Sequence, residues 1–199
     1  MNKKTNSLSA LLFSLAIIVL LAACSGSGSP AERQSQYSPE HWFTFDGEGD
    51  LVASDAFPDG PMSIVIPSRL GGIPVTSIGD FAFADAMTDR FKLTSVTIPN
   101  SVMTIGEGAF AWNNLTGVII PDSVTFIGSG AFFYNNLTSI TLGNGITGFG
   151  DHLFGANSDL ITVTVRLQQG ETEAQARERL DSNWFDAILD WAEVVSFVQ

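Results

Sequence analysis

Between Ile98 and Leu142 the sequence copies itself with a step of 22 residues. Ile98-Pro99-Asn100-Ser101-Val102 returns as Ile120-Pro121-Asp122-Ser123-Val124, Ile105-Gly106 as Ile127-Gly128, Ala109-Phe110 as Ala131-Phe132, and Asn114-Leu115-Thr116 as Asn136-Leu137-Thr138. A further copy starts at Leu142 and carries Phe149-Gly150, Phe154 and Leu160. An earlier copy, with Ile78-Gly79 and Ala82-Phe83, starts at Ile66-Pro67 and is 32 residues long. Its surplus lies around Gly71-Gly72-Ile73-Pro74 and between Asp85 and Lys92. A unit this short cannot bury its own apolar residues, so the copies must stack on one another into a continuous core.

Each copy begins and ends on one short strand. Leu93-x-x-Val96-x-Ile98, Leu115-x-x-Val118-x-Ile120, Leu137-x-x-Ile140-x-Leu142 and Leu160-x-x-Val163-x-Val165 share their spacing and are rich in Thr, Val and Ile, residues suited to strands. Pro67, Pro99 and Pro121 follow directly, where a proline ends a ladder without removing a central bond. The glycine after each Ile or Phe marks a turn. The Phe of each copy then points inward, which places Phe132 between Phe110 and Phe154.

The pattern IPxSVxxIGxGAFxxNNLTxVxI, running from about Ile64 to Val165, resembles the BspA-type leucine-rich repeat, a family of bacterial cell-surface proteins. The resemblance implies a leucine-rich-repeat solenoid over residues 61–165, a β-rich, right-handed coil of short strands with turns and short helical segments. It also implies a binding or adhesion role, toward host matrix proteins or other bacteria.

The start of the chain reads as an export signal. Lys3 and Lys4 precede a sixteen-residue stretch without charge, Leu8 to Ala23, and small residues close it. A permanent membrane anchor is the other reading, although spanning takes about 20 residues. Leu21-Ala22-Ala23-Cys24 resembles a bacterial lipobox, which implies cleavage after residue 23 and lipidation of Cys24. Cys24 is the one cysteine, so neither a disulfide framework within the chain nor a multi-cysteine metal site can form. Residues 24–40, opening with Ser25-Gly26-Ser27-Gly28-Ser29-Pro30, read as a flexible lipidated tether. Ser25 after the lipid cysteine resembles an outer-membrane sorting pattern, which points to the cell envelope, at the outer membrane or cell surface.

The array needs covers at both ends. Residues 41–60 hold Trp42-Phe43-Thr44-Phe45, an acidic turn and Leu51-Val52, the pattern of a capping hairpin. A calcium loop is the sharper reading of Asp46, Glu48 and Asp50, but Leu51 and Phe57 stand where an EF-hand loop carries glycine and glutamate. No metal site is assigned. Over residues 166–199, Thr172-x-x-Gln175 fits a capping box, and Leu180, Trp184, Ile188, Trp191 and Val195 recur at helical spacing. This predicts a C-terminal helical cap.

Catalytic constellations are missing. His41 and His152 are far apart, and Asp151-His152 occupies turn positions filled by small residues in other copies. Gly106-x-Gly108 and Gly148-x-Gly150 lack the strand-turn-helix setting of a phosphate loop. No cofactor is expected and the chain reads as a non-enzyme. A net charge of -12 argues against nucleic acid as a partner. Asn113, Asn135 and Asn157, also 22 residues apart, read as amides that satisfy backbone groups within the stack.

The functional clue is the strand face turned away from the core. Its positions are Thr94, Ser95, Thr97, Thr116, Gly117, Ile119, Thr138, Ser139, Thr141, Ile161, Thr162 and Thr164, of which nine are Thr or Ser and none is charged. On a surface about 30% charged, twelve uncharged positions arise by chance about once in seventy. Strand propensity is the competing explanation. Trp112, Phe133 and Tyr134, just past the stacked Phe positions, form an alternative patch. Two functional readings follow. One is a lipid-anchored surface module that binds a protein or host matrix ligand; the other is an envelope lipoprotein that assembles with membrane components and has no external ligand.

Overall fold

A computed structural model of the chain describes residues 37–85, 92–157, 162–180 and 194–199. The export segment, Cys24 and most of the tether lie outside the described residues, as do Leu160, Ile161, Trp184, Ile188 and Trp191.

The fold is built mostly of strands. In chain order these are β1 (Phe43–Phe45), β2 (Leu51–Ala53), β3 (Met62–Val65), β4 (Arg69–Leu70), β5 (Ile73–Pro74), β6 (Ser77–Ile78), β7 (Leu93–Thr97), β8 (Thr104–Ile105), β9 (Gly117–Ile119), β10 (Phe126–Ile127), β11 (Ser139–Leu142), β12 (Gly148–Phe149), β13 (Thr162–Arg166) and β14 (Val194–Val198). Among the described residues there is one short α-helix, α1 (Glu173–Arg179), and a 3-10 turn at Glu40–Trp42.

Two kinds of rung recur in each copy. The shorter ones make a six-stranded sheet in the order β1-β2-β6-β8-β10-β12. Its parallel register puts Ile78 beside Ile105, Ile105 beside Ile127, and Ile127 beside Phe149. The residues after these rungs must be glycine, because successive copies nearly touch. A Cβ on Gly128 would lie 2.5 Å from the Glu107 nitrogen, and one on Gly150 would lie 2.2 Å from the Ser129 nitrogen.

Between the rungs runs the core. Phe83, Phe110, Phe132 and Phe154 form the predicted column, with ring centroids 5.4, 5.4 and 5.9 Å apart and planes within 7°, 11° and 26°. The asparagines form a second column. The Oδ1 atoms of Asn113, Asn135 and Asn157 accept the N–H groups of Leu93, Leu115 and Leu137 at 2.7, 3.0 and 3.0 Å. Their Nδ2 groups donate to Phe83, Phe110 and Phe132 carbonyls of the preceding copy. All three are buried, and each repairs backbone that a solenoid turn leaves without a ladder partner.

The extra residues around Gly71 do not disturb these columns: they fold outward as the antiparallel pair β4–β5, with Leu70 opposite Ile73; of the other surplus segment, residues 86–91 lie outside the described residues. At the N-terminal end β1 and β2 form an antiparallel hairpin whose Leu51 pairs in parallel with Ile78. Phe43 and Phe57 lie against Phe83 at 6.1 and 5.7 Å, so the hairpin region extends the aromatic column.

The end of the C-terminal stretch departs from the helical prediction, whose middle, residues 181–193, lies outside the described residues. The capping box forms at Thr172 and Gln175, but α1 ends at Arg179 and Val195 lies in a strand. β14 joins β13 in parallel, Thr162 opposite Val194 and Val165 opposite Phe197. The run Val194-Val195-Ser196-Phe197-Val198 is β-branched and aromatic, and an open strand edge at β13 gives it ladder bonds that a helix would not. Arg179 ties α1 to the array, donating to the Ile146 and Arg166 carbonyls.

Candidate functional site

The longer rungs carry the face singled out in the sequence. Alternation along them sends Val96, Ile98, Val118, Ile120, Ile140, Leu142, Val163 and Val165 into the core. Thr94, Ser95, Thr97, Thr116, Ile119, Thr138 and Ser139 are exposed, while Thr141, Thr162 and Thr164 are half-buried. None of the predicted face residues described is buried, so the register read from the sequence stands.

The face is not one sheet. The shared spacing of these strands predicts one continuous ladder, but the ladder is broken between β7 and β9. β3 and β7 form one pair, and β9, β11, β13 and β14 form a separate four-stranded sheet. In the intact steps Ile66 N–H reaches the Thr97 carbonyl at 3.0 Å and Ile120 N–H reaches the Thr141 carbonyl at 2.8 Å. Among the described residues the equivalent bond from Ile98 N–H to the Ile119 carbonyl is absent, as is one from Thr116 N–H to the Thr94 carbonyl. At its N-terminal end the gap is held by Asn114 N–H on the Leu93 carbonyl at 2.9 Å. On the other side of β9 the ladder is intact, with Gly117 opposite Ser139. A side chain at 117 would touch only Ser139.

A groove of about 620 Å³ opens at this break, lined by Ser95, Thr97, Gly117, Ile119, Ser139 and Thr141. Ile119 is 60% exposed, a large aliphatic left in water at the centre of the face. The margin carries Asn100 and Arg166, and Arg166 is drawn to Asp122 at 3.4 Å. Elsewhere the face grows beyond the predicted set. Ser63 of β3 pairs with Ser95, and its hydroxyl lies 3.4 Å from that of Thr94. Ser196 of β14 lies 3.2 Å from the Thr164 hydroxyl. The alternation in Val194–Val198 was the signal for Ser196; the opened backbone at Ile98 and Ile119 has no signal in residue identity.

The alternative patch divides. Trp112 and Phe133 are half-buried and meet edge to face at 5.8 Å. The Phe133 ring also covers Gly155, where a Cβ would come within 2.8 Å of it. Tyr134 alone is widely exposed, at 59%. Trp112 and Tyr134 both take the left-handed backbone conformation, at φ 57° and 54°, so this turn serves the repeat geometry first.

The acidic turn is organised by its own backbone. Asp46 Oδ1 accepts the Asp50 and Glu48 N–H groups, each at 2.9 Å, and the Asp50 N–H in particular holds the Asp46 carboxyl below its usual range. The Asp50 carboxylate in turn accepts the Ser77 hydroxyl. No group of three or more His, Cys, Asp or Glu able to hold a metal occurs among the described residues. His152 takes a left-handed turn position at φ 54° and is exposed, as is His41. No helix among the described residues is long and apolar enough to cross a membrane.

Comparison with known proteins agrees with the repeat geometry. The family model for the BspA-type leucine-rich repeat region matches residues 62–176 in six copies. Among solved structures, the chain is similar to the T. pallidum leucine-rich repeat protein TpLRR, at 21% identity over 81% of this chain and 85% of that one, with a TM-score of 0.49. It is also similar to the pneumococcal vaccine antigen PcpA, at 19% identity over 63% of this chain and 38% of that one, with a TM-score of 0.48. A leucine-rich cell surface protein from Faecalibacterium prausnitzii A2-165 is 20% identical over 65% of this chain and 54% of that one, with a TM-score of 0.26. No curated protein matches the chain.

Proposed function

This chain belongs to the BspA-type leucine-rich repeat family, and from that premise we propose that it is a surface module that binds a protein partner through the Thr/Ser face of its longer strands. The observation that carries the reading is the face itself. Every described position of β7, β9 and β11 that points outward is uncharged, in a chain of net charge -12. An uncharged hydroxyl surface can be covered by another protein without stranding a buried charge. Ile119 supplies an apolar contact at its middle. The face is narrow, so a partner adds contacts from flanking turns or gains avidity from many copies on one membrane. In the same reading a lipid on Cys24 tethers the module to the cell envelope, and adhesion to a host matrix protein or another cell is its use.

The test begins with a pull-down of matrix proteins and envelope extracts on the purified chain. Ser139→Asp with Thr141→Asp places charge on the face; the expected loss is about tenfold or more. Gln169→Asp with Ala174→Asp, both exposed positions beyond the last predicted strand, serves as the control. Equal binding by the face variant and the control would sink the reading. Cys24→Ala removes the proposed lipid site, and fatty-acid labelling that persists in that variant would show the anchor to be elsewhere.

A further inference from the structure

On the Thr/Ser face a knob stands next to a hollow. Ile119 and Gly117 lie on the same side of β9, two residues and therefore about 6.6 Å apart. Among the described residues no large apolar side chain is more exposed than Ile119, at 60%. Position 117 has no side chain, and a Cβ there would meet only Ser139, its Oγ at 3.2 Å and its carbonyl oxygen at 3.6 Å. The neighbouring outward residues are short as well: Ser139 in β11 and, one copy earlier, Ser95 in β7. The groove of about 620 Å³ opens over these residues. Charge narrows the choice of what can seat there. A two-fold contact sets a patch against its own copy, so a charge within it confronts its like. A chain with 21 acidic and 9 basic residues therefore repels itself wherever such a patch is charged. The outward positions of β7, β9 and β11 carry no charge. Hydroxyls both donate and accept, so a patch of them is its own complement.

We propose that the face is a self-association surface and that the partner seated on it is a second copy of this chain. The two copies meet face to face about a two-fold axis that lies in the interface, crosses β9 at Val118 and runs perpendicular to the strands. That operation sets the two β9 strands antiparallel. Each Ile119 then enters the hollow over the other copy's Gly117, while Ser139 faces Thr141 and Ser95 faces Thr97. The proposal rests on the reading of the Thr/Ser face as the partner surface, and it names the partner. The other cell of the adhesion reading is then one that carries the same chain. Because the face is narrow, two free copies hold each other weakly, and many copies on one membrane strengthen the contact.

The test is sedimentation velocity of the full chain from about 5 µM to about 0.5 mM, a span that reveals a weak dimer. The native chain should show a reversible monomer–dimer equilibrium. Ile119→Asp and Ile119→Lys should each weaken it about tenfold or more, because like charges then sit close together across the axis in a contact without counter-charges. Mixed in equal amounts, the two variants should associate again, since opposite charges now meet; a variant that had merely lost its fold could not be rescued in this way. Gly117→Val fills the hollow and should weaken association too, with circular dichroism to follow the fold. Gln169→Asp with Ala174→Asp should change nothing. A native chain that stays monomeric throughout overturns the proposal. So does association that survives both Ile119 variants, that fails to return in their mixture, or that is unchanged in a folded Gly117→Val. A monomeric chain whose captured matrix or envelope protein is lost on Ser139→Asp with Thr141→Asp removes this inference and leaves the face as the surface for a different partner. A monomeric chain that captures no protein removes both.

Discussion

Arg179 grips Glu171 through two near-parallel bonds, Nε to Oε1 at 2.8 Å and Nη2 to Oε2 at 3.0 Å. The guanidinium holds the Glu171 carboxyl below its usual range. A carboxyl depressed in the folded state stabilises the fold above its unfolded value, about 4.3, and that contribution is lost as pH falls through the lowered folded value. Urea midpoints measured from about pH 7 down to about pH 3 should therefore fall more in the native chain than in Glu171→Gln. At neutral pH the substitution should cost about 1 kcal/mol.

Phe132→Ala should cost about 3–5 kcal/mol. Phe132 is fully buried and is stacked on both sides, so no neighbour can close the void without breaking a second stack. Because each copy touches only its neighbours, the loss should also broaden the urea transition by uncoupling the copies beyond it. An unchanged midpoint would contradict the packing.

Asn135→Ala should cost about 2–3 kcal/mol, since it strands a buried N–H and leaves carbonyls short of a donor. Asn135→Asp is the informative partner. Its carboxylate still accepts from Leu115 N–H but cannot donate to the Phe110 carbonyl, which Asn135 reaches at 2.9 Å. The aspartate variant should remain clearly less stable than the native chain in thermal melts.

His152→Gly should stabilise the chain by about 0.5–1 kcal/mol, because a left-handed residue with a side chain is strained. Gly108 and Gly130 hold the equivalent turns at φ 56° and 60°. His152→Ala keeps the strain and should not raise the melting temperature, which separates backbone conformation from loss of the imidazole.

What the sequence made legible is whatever repeats. The Phe column, the Asn column and the outward Thr and Ser follow from one register, because a stack of like units puts like residues above one another. The break beside Gly117 was not legible. It depends on whether two strands a full copy apart come close enough to bond, a matter of ångströms that residue identity does not report. β14 was misread because Leu180 and Val195 also fit a helical period, while the local run Val194–Val198 fits a strand. Neighbouring strand edges, which lie outside the period, settled the competition. The Arg179 clamp was hidden for the same reason: its partners Glu171, Ile146 and Arg166 share no spacing.

The asparagine and phenylalanine columns make the length of this chain discontinuous. Each amide bridges to backbone of the neighbouring copy, so losing or gaining residues inside a unit would aim every later amide at the wrong carbonyl. A whole step of 22 residues can be removed or duplicated with both columns still in line. The first copy shows the other permitted change, a surplus that leaves the stack as the exposed hairpin β4–β5. Related genes should therefore differ in length by entire units or by outward loops, and frame-preserving deletions of a few residues within a unit should be absent among those that still fold.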